Sequence, residues 1–176
     1  MLLAVVVVLA ALLAGWAGGG HLAALGALEL RTTRLVVAAV LAQLAGGIIG
    51  GPFYPVGLAV SAGLVGAFLV RNRGTRGTGL VAAGLVANAL VVGLNGAMPV
   101  SGDAAGRAGV STQAIVSGED PRHTLADRAT RLRALGDVVP VVFPVHPEVV
   151  SPGDVLVVAG LGQLITAAMW AGRRRR

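Results

Sequence analysis

Four runs of this chain hold no Asp, Glu, Lys or Arg: roughly Met1 to Ala17, Leu35 to Gly50, Tyr54 to Val70 and Thr78 to Leu94. A fifth, roughly Gly153 to Ala171, carries one charge, Asp154, at its start. A membrane-crossing helix needs about 20 mostly apolar residues, so all five read as spans, some short enough to call for a thin or tilted fit. Composition agrees. Only 12% of residues are charged, against about 25% in an average soluble domain, so hydrocarbon rather than water must face most of the surface. The predicted fold is an all-α membrane protein, a single domain over residues 1–176. It is a bundle of five transmembrane helices with one long extracytoplasmic loop, roughly Gly96 to Pro152, containing a short amphipathic helix.

The first run has a small-residue step at Ala14 to Ala17 but no basic residue ahead of it. A signal peptide needs that basic region, so an uncleaved span is expected. Arginines set the orientation. With the N-terminus outside, Arg31, Arg34, Arg71, Arg73, Arg76 and the tail Arg173 to Arg176 fall in the cytoplasm, whereas the Gly51-Pro52 connection carries none. Trp16 and Trp170 then lie at the cytoplasmic interface, where indole rings prefer to sit. All fourteen basic residues are arginine. With abundant Ala, Val and Gly, this is the usage of a GC-rich bacterial genome, and it places the chain in a bacterial cell membrane. The basic balance is explained by orientation, so no nucleic-acid partner is implied. The absence of cysteine excludes thiolate metal sites and a cysteine nucleophile.

Within the spans, carboxamides need partners. Asn88 and Asn95 are seven apart and share a helix face; Gln43, Gln163 and Thr166 are the partners on offer from other spans. Asn95-Gly96 suits a helix end, and Pro99 prevents continuation. Ala59, Gly63 and Ala67, and likewise Gly79, Ala83 and Ala87, have the spacing of close helix contacts. Gly19 to Arg31 reads as an interfacial helix or a short loop, with Leu22, Leu25 and Leu28 toward lipid and His21 and Glu29 in water.

The loop holds most of the acids. "EDPRHTLADRATRLRALGD", from Glu119, reads as a helix: Asp120 caps it, Pro121 suits its first turn, Gly136 stops it, and Leu125, Ala129, Leu132 and Leu135 form its apolar stripe. On that helix His123 with Asp127, and Asp127 with Arg131, are i,i+4 pairs. His123 and Asp127 suit a base oriented by a carboxylate, and equally an ordinary surface pair. His146 and Asp137 would have to complete a metal site, but no ligand motif is present, so no metal or cofactor is implied. Pro140, Pro144, Pro147 and Pro152 exclude a helix before the last span, leaving Val138 to Val145 along the interface or in a groove. Ser151-Pro152-Gly153-Asp154 has the form of a capping box. No G-x-S-x-G elbow, P-loop or H-E-x-x-H occurs, and Ser101, Ser111 and Ser117 have no signalled partner. No ionisable residue sits mid-span, as ion pathways usually require.

The order "LNGAMPVS", "HTLADRATRLRALGDVVP", "SPGDVLVVAGLGQLI" resembles an uncharacterised family of bacterial integral membrane proteins catalogued as domain of unknown function 5317. Asn95, Gly96, Met98, Pro99, Asp127, Gly136, Asp137, Ser151, Gly153 and Asp154 fall on its characteristic steps; Pro152 stands where an aliphatic residue is usual. The resemblance implies architecture and no activity. Three functions remain open. The first is a non-enzymatic binding or partner-docking module, meeting a membrane-protein partner or a lipid-linked ligand through the loop. The second is a membrane-embedded enzyme on a lipid-linked or envelope substrate, with Asn95, His123, Asp127, Asp137 and Asp154 converging at the outer interface. The third is a small-molecule transporter working as a homo-oligomer.

Overall fold

A computed structural model describes residues 2–28, 30–49 and 53–171. Glu29, the Gly51-Pro52 connection and the Arg173–Arg176 tail lie outside the described residues. The chain is mostly helical. Each apolar run forms one helix: α1 (Leu2–Ala17), α3 (Arg34–Ile49), α4 (Phe53–Arg71), α5 (Thr78–Asn95) and α8 (Pro152–Ala171), with a single turn, α2 (Ala23–Gly26), after α1. Of these, α5 and α8 are long and apolar enough to cross a membrane. Leu2–Ala17, Arg34–Gly46 and Ala59–Arg71 form shorter apolar helices.

Glycines set the seam between α5 and α8, but not those the small-residue pattern selects. Gly77 and Gly84 lie on one side of the seam, Gly153 and Gly160 on the other, each pair seven residues apart and hence on one helix face. A Cβ on Gly84 would meet the Gly153 carbonyl oxygen, and one on Gly160 would stand 2.6 Å from the Gly77 carbonyl oxygen. Gly79 and Gly63 have nothing within 4 Å of such a Cβ. The expected Gly79/Ala83/Ala87 and Ala59/Gly63/Ala67 faces therefore point away from the contacts. Close contact between α3 and α4 runs instead through Gly46 and Gly57: a Cβ on Gly57 would lie 2.7 Å from the Ala42 carbonyl oxygen. On the other side of α8, the buried Met169 fills the space left by Gly15 of α1.

Polar groups pin the ends. Asn72, buried after α4, accepts the Arg31 N–H at 2.8 Å and donates to the Arg31 carbonyl at 3.0 Å. It thus ties the turn before α3 to the turn before α5. Gly96, at φ +81°, ends α5 as the sequence predicts. Ser151 and Asp154 form the capping box of α8: the Asp154 N–H donates to Ser151 Oγ at 2.9 Å, and the Ser151 N–H donates to Asp154 Oδ2 at 3.1 Å.

Between α5 and α8 the chain folds into a small cap: β1 (Met98–Val100), α6 (Gly102–Ala108), α7 (Gln113–Val116), β2 (His123–Leu125), a 3-10 turn (Arg133–Leu135), β3 (Val139–Val141) and β4 (Glu148–Val150). The helix expected across Glu119 to Asp137 is not formed. Its backbone is claimed by β1, which pairs in parallel with β2, Met98 opposite His123, and bridges Asp137 from Val100. Local side chains compete as well. Asp127 accepts the Ala129 N–H and the Thr130 hydroxyl, as short polar residues do where they displace helix, and Leu132 takes φ +51°. The i,i+4 pairs of His123 with Asp127 and of Asp127 with Arg131 disappear with the helix. The proline-rich stretch forms an antiparallel β3–β4 pair, so Val138 to Val145 is in part a strand. Among the described residues of the Gly19 to Arg31 segment, only those of α2 are helical.

Adding a methyl at the α5–α8 seam forces two backbones apart. Gly84→Ala should lower stability by about 1–3 kcal/mol. Gly79→Ala should be neutral or slightly stabilising, as alanine is the better helix former. Unfolding of both variants in detergent measures the contrast.

Candidate functional site

Of the cap's acidic residues, Asp127 and Glu148 are taken up by backbone N–H groups, and the buried Asp137 is not. Asp127 is exposed and engaged in its own turn; the Thr130 hydroxyl, then the Ala129 N–H, hold its pKa below the usual value. Asp154 is the α8 capping residue and also accepts the Asn88 side-chain N–H at 2.7 Å. Asn88 in turn accepts the Ser151 hydroxyl at 2.8 Å, which closes a three-residue network where α5 meets α8. The partners expected for Asn88, Gln43 and Gln163, are exposed, and Thr166 donates to the carbonyl of Gly162 in its own helix. Asn95 likewise faces the cap. It accepts the Arg131 N–H at 2.9 Å and donates to the Arg131 carbonyl at 3.0 Å, fastening the 128–133 turn to the end of α5.

Glu148 is buried at the start of β4 and accepts the N–H groups of Leu2 at 3.2 Å and Leu3 at 2.6 Å. Burial pushes its pKa up, but hydrogen bonds at the start of α1 prevail and bring it down. A carboxylate there also meets the positive end of the helix dipole.

Asp137 differs. It is 5% exposed, its backbone is fixed by β1, and its carboxylate accepts no hydrogen bond from any described residue. Its neighbour is His123, whose Nε2 stands 3.7 Å from Asp137 Oδ2. The other ring nitrogen, Nδ1, meets Asp120 Oδ2 at 2.8 Å. A proton on Nδ1 is therefore held by Asp120, which directs Nε2 at Asp137. Asp120 is itself held well below the usual carboxylate range, first by the Arg122 guanidinium, against a smaller cost of burial, with His123 adding to the effect. Burial pushes Asp137 up to about 7; the nearby His123 lowers it, and the charge of Asp154 raises it. The arrangement is a buried carboxyl beside an imidazole oriented by a second carboxylate, a pair suited to holding or passing a proton.

The expected convergence of five residues is thus reduced to His123 with Asp137, with Asp154 acting through space. Asn95 and Asp127 serve the cap's own backbone. Asp120, expected only as a helix cap, is the true partner of His123. Asn72, between Arg71 and Arg73, and Glu148, after Pro147, belong to no motif that would predict their contacts. Among the described residues no group of three His, Asp or Glu could hold a metal ion, and His146 is exposed.

A family model described as "Family of unknown function (DUF5317)" matches residues 27–166, most of the chain. No curated protein and no solved structure matches it.

Because the folded-state pKa of Asp137, about 7, stands above its ordinary 3.8, the folded cap binds this proton more tightly than the unfolded chain does. Its contribution to stability is full below the ordinary value and is lost as pH rises through about 7. Melting between pH 5 and 8 should therefore show stability falling, with the slope flattened in Asp137→Asn. Infrared difference spectra should show a protonated carboxyl below pH 7 that this variant lacks.

Proposed function

The chain belongs to that family of unknown function, and we propose that it is a five-span protein of the bacterial cell membrane whose extracytoplasmic cap is a non-enzymatic recognition module. Helices of 16 to 20 residues are roughly 24–30 Å long at 1.5 Å per residue, enough to cross a thin bilayer or most of an ordinary one. Their directions support the reading. α1 and α8 start at the cap and α5 ends there, so an odd number of crossings separates the cap from the arginine-rich end. Large apolar side chains line the outer faces of α3 and α4, Ile48 being 85% exposed, which suits lipid and not water. On this reading the N-terminus and cap are outside, and Arg31, Arg34, Arg71, Arg73 and Arg76 are inside.

The observation that carries the recognition role is the cationic surface of the 128–133 turn. Asp137 and Glu148 are buried and Asp127 is held in its own turn, whereas Arg128, Arg131 and Arg133 are exposed, and their side chains make no hydrogen bond or ion pair among the described residues. Leu132, also exposed, sits among them. A cationic turn with an apolar centre suits an anionic group on a membrane-protein partner or a lipid-linked ligand. One observation favours an enzyme instead: the buried carboxyl of Asp137 beside a histidine oriented by Asp120 is the form of an acid–base pair. Asn95 and Asp127, which would have had to join it, are engaged elsewhere.

The chain has no cysteine, so single cysteines report topology. A membrane-impermeant maleimide should label Ser111→Cys on intact cells and Gly74→Cys only after permeabilisation; equal labelling would remove the orientation. A photo-crosslinker at Ala129 should capture a partner or lipid-linked species that the triple variant R128E/R131E/R133E loses at unchanged abundance. Crosslinks that survive charge reversal would remove the recognition surface. Turnover abolished by both His123→Ala and Asp137→Asn would favour the enzyme.

A further inference from the structure

At the end of the bundle away from the cap, a side-opening groove of about 350 Å³ lies between the turn before α5 and the last two turns of α8. Leu28, Leu164, Ala167 and Ala168 give it an apolar lining, to which the Trp170 ring and the Arg76 side chain are added. The small side chains of Ala167 and Ala168 leave the space that larger residues would fill. Arg76 is exposed and its guanidinium donates to no described residue; Arg71 and Arg73 stand within one turn of chain, and no acidic side chain among the described residues lines the groove.

These features select an occupant. An apolar wall takes hydrocarbon. A guanidinium at its rim takes a phosphate diester through two parallel N–H donors. An indole in the same lining suits the boundary between acyl chain and headgroup. Among the described residues the cationic rim has no counter-charge, so an anionic lipid is favoured over a zwitterionic one. We infer that this groove is a binding site for one anionic phospholipid of the cytoplasmic leaflet, with its phosphate on Arg76 and an acyl chain between Leu28 and Leu164. The inference rests on the membrane reading above and names a ligand class for a surface that reading leaves unassigned.

Trp170 reports the site once the second tryptophan is removed by Trp16→Phe. In neutral detergent, short-chain phosphatidylglycerol should change Trp170 emission saturably, whereas phosphatidylcholine should do so only weakly. Arg76→Gln should raise the half-saturating concentration about five-fold, the loss expected for one basic side chain at an anionic surface; Arg76→Lys should retain most of the affinity. Ala167→Leu, which fills the groove and leaves Arg76 in place, should abolish the response. Equal responses to the two lipids, or an Arg76→Gln variant that titrates like its parent, would overturn the site. The same response to inorganic phosphate would overturn the lipid as occupant. A protein recovered from cells without detergent would instead sink the membrane reading, so the two failures are separable.

Discussion

The contact of α5 with the first turn of α8 is the constraint on which the remaining structure depends. Gly84 and Gly153 bring two backbones so close that neither tolerates a methyl. That proximity puts the carboxamide of Asn88 within reach of a helix start, where backbone N–H groups have no partner inside the helix. Ser151 and Asp154 satisfy those groups, and Asn88 joins both side chains. Sterics and hydrogen bonding therefore support one another: the glycines admit the contact, and the polar network fixes its depth. The chain enters the cap from one of these helices and leaves it through the other, so the cap's two ends are set by the same junction.

Acidic residues in the cap show how local context divides one chemistry. Asp127 and Asp154 sit where free N–H groups are at hand, and they serve as caps. Glu148 does the same for a helix far away in sequence. Asp137 is placed by its backbone, bonded to Pro99 and Ser101 on either side of Val100, and no hydrogen bond from a described residue reaches its carboxylate. A carboxyl in that position gains by keeping its proton. Its relation to His123 follows from the strand pairing, since β1 carries His123 on one neighbour and Asp137 on the other.

The helices were legible because a charge-free run of this length has few other folds. Asn95-Gly96 and the Ser151–Asp154 box were legible too, since each is a local device whose partners lie within four residues. The cap was not. Leu125, Ala129, Leu132 and Leu135 recur at helical spacing, yet the strand Met98–Val100, more than twenty residues earlier, supplies the segment's hydrogen bonds, and periodicity carries no trace of such a distant competitor. Small residues misled in a similar way. In a chain with 27 glycines, four-residue spacings arise on every face, and only the partner helix decides which face is used. The pairing of His123 with Asp120 in place of Asp127 is the same lesson in miniature: three residues back in a turn, not four ahead on a helix.

The bond from Glu148 to the start of α1 joins residues 146 positions apart in the chain. At ribosomal rates of about 5–20 residues per second, roughly 7–30 seconds separate the emergence of α1 from that of the carboxylate that secures it. For that interval the first helix must be held by something other than its final partner. Assembly is thereby ordered in time: the opening segment is the earliest made and among the latest to be locked, its last contact waiting on the final quarter of the polypeptide.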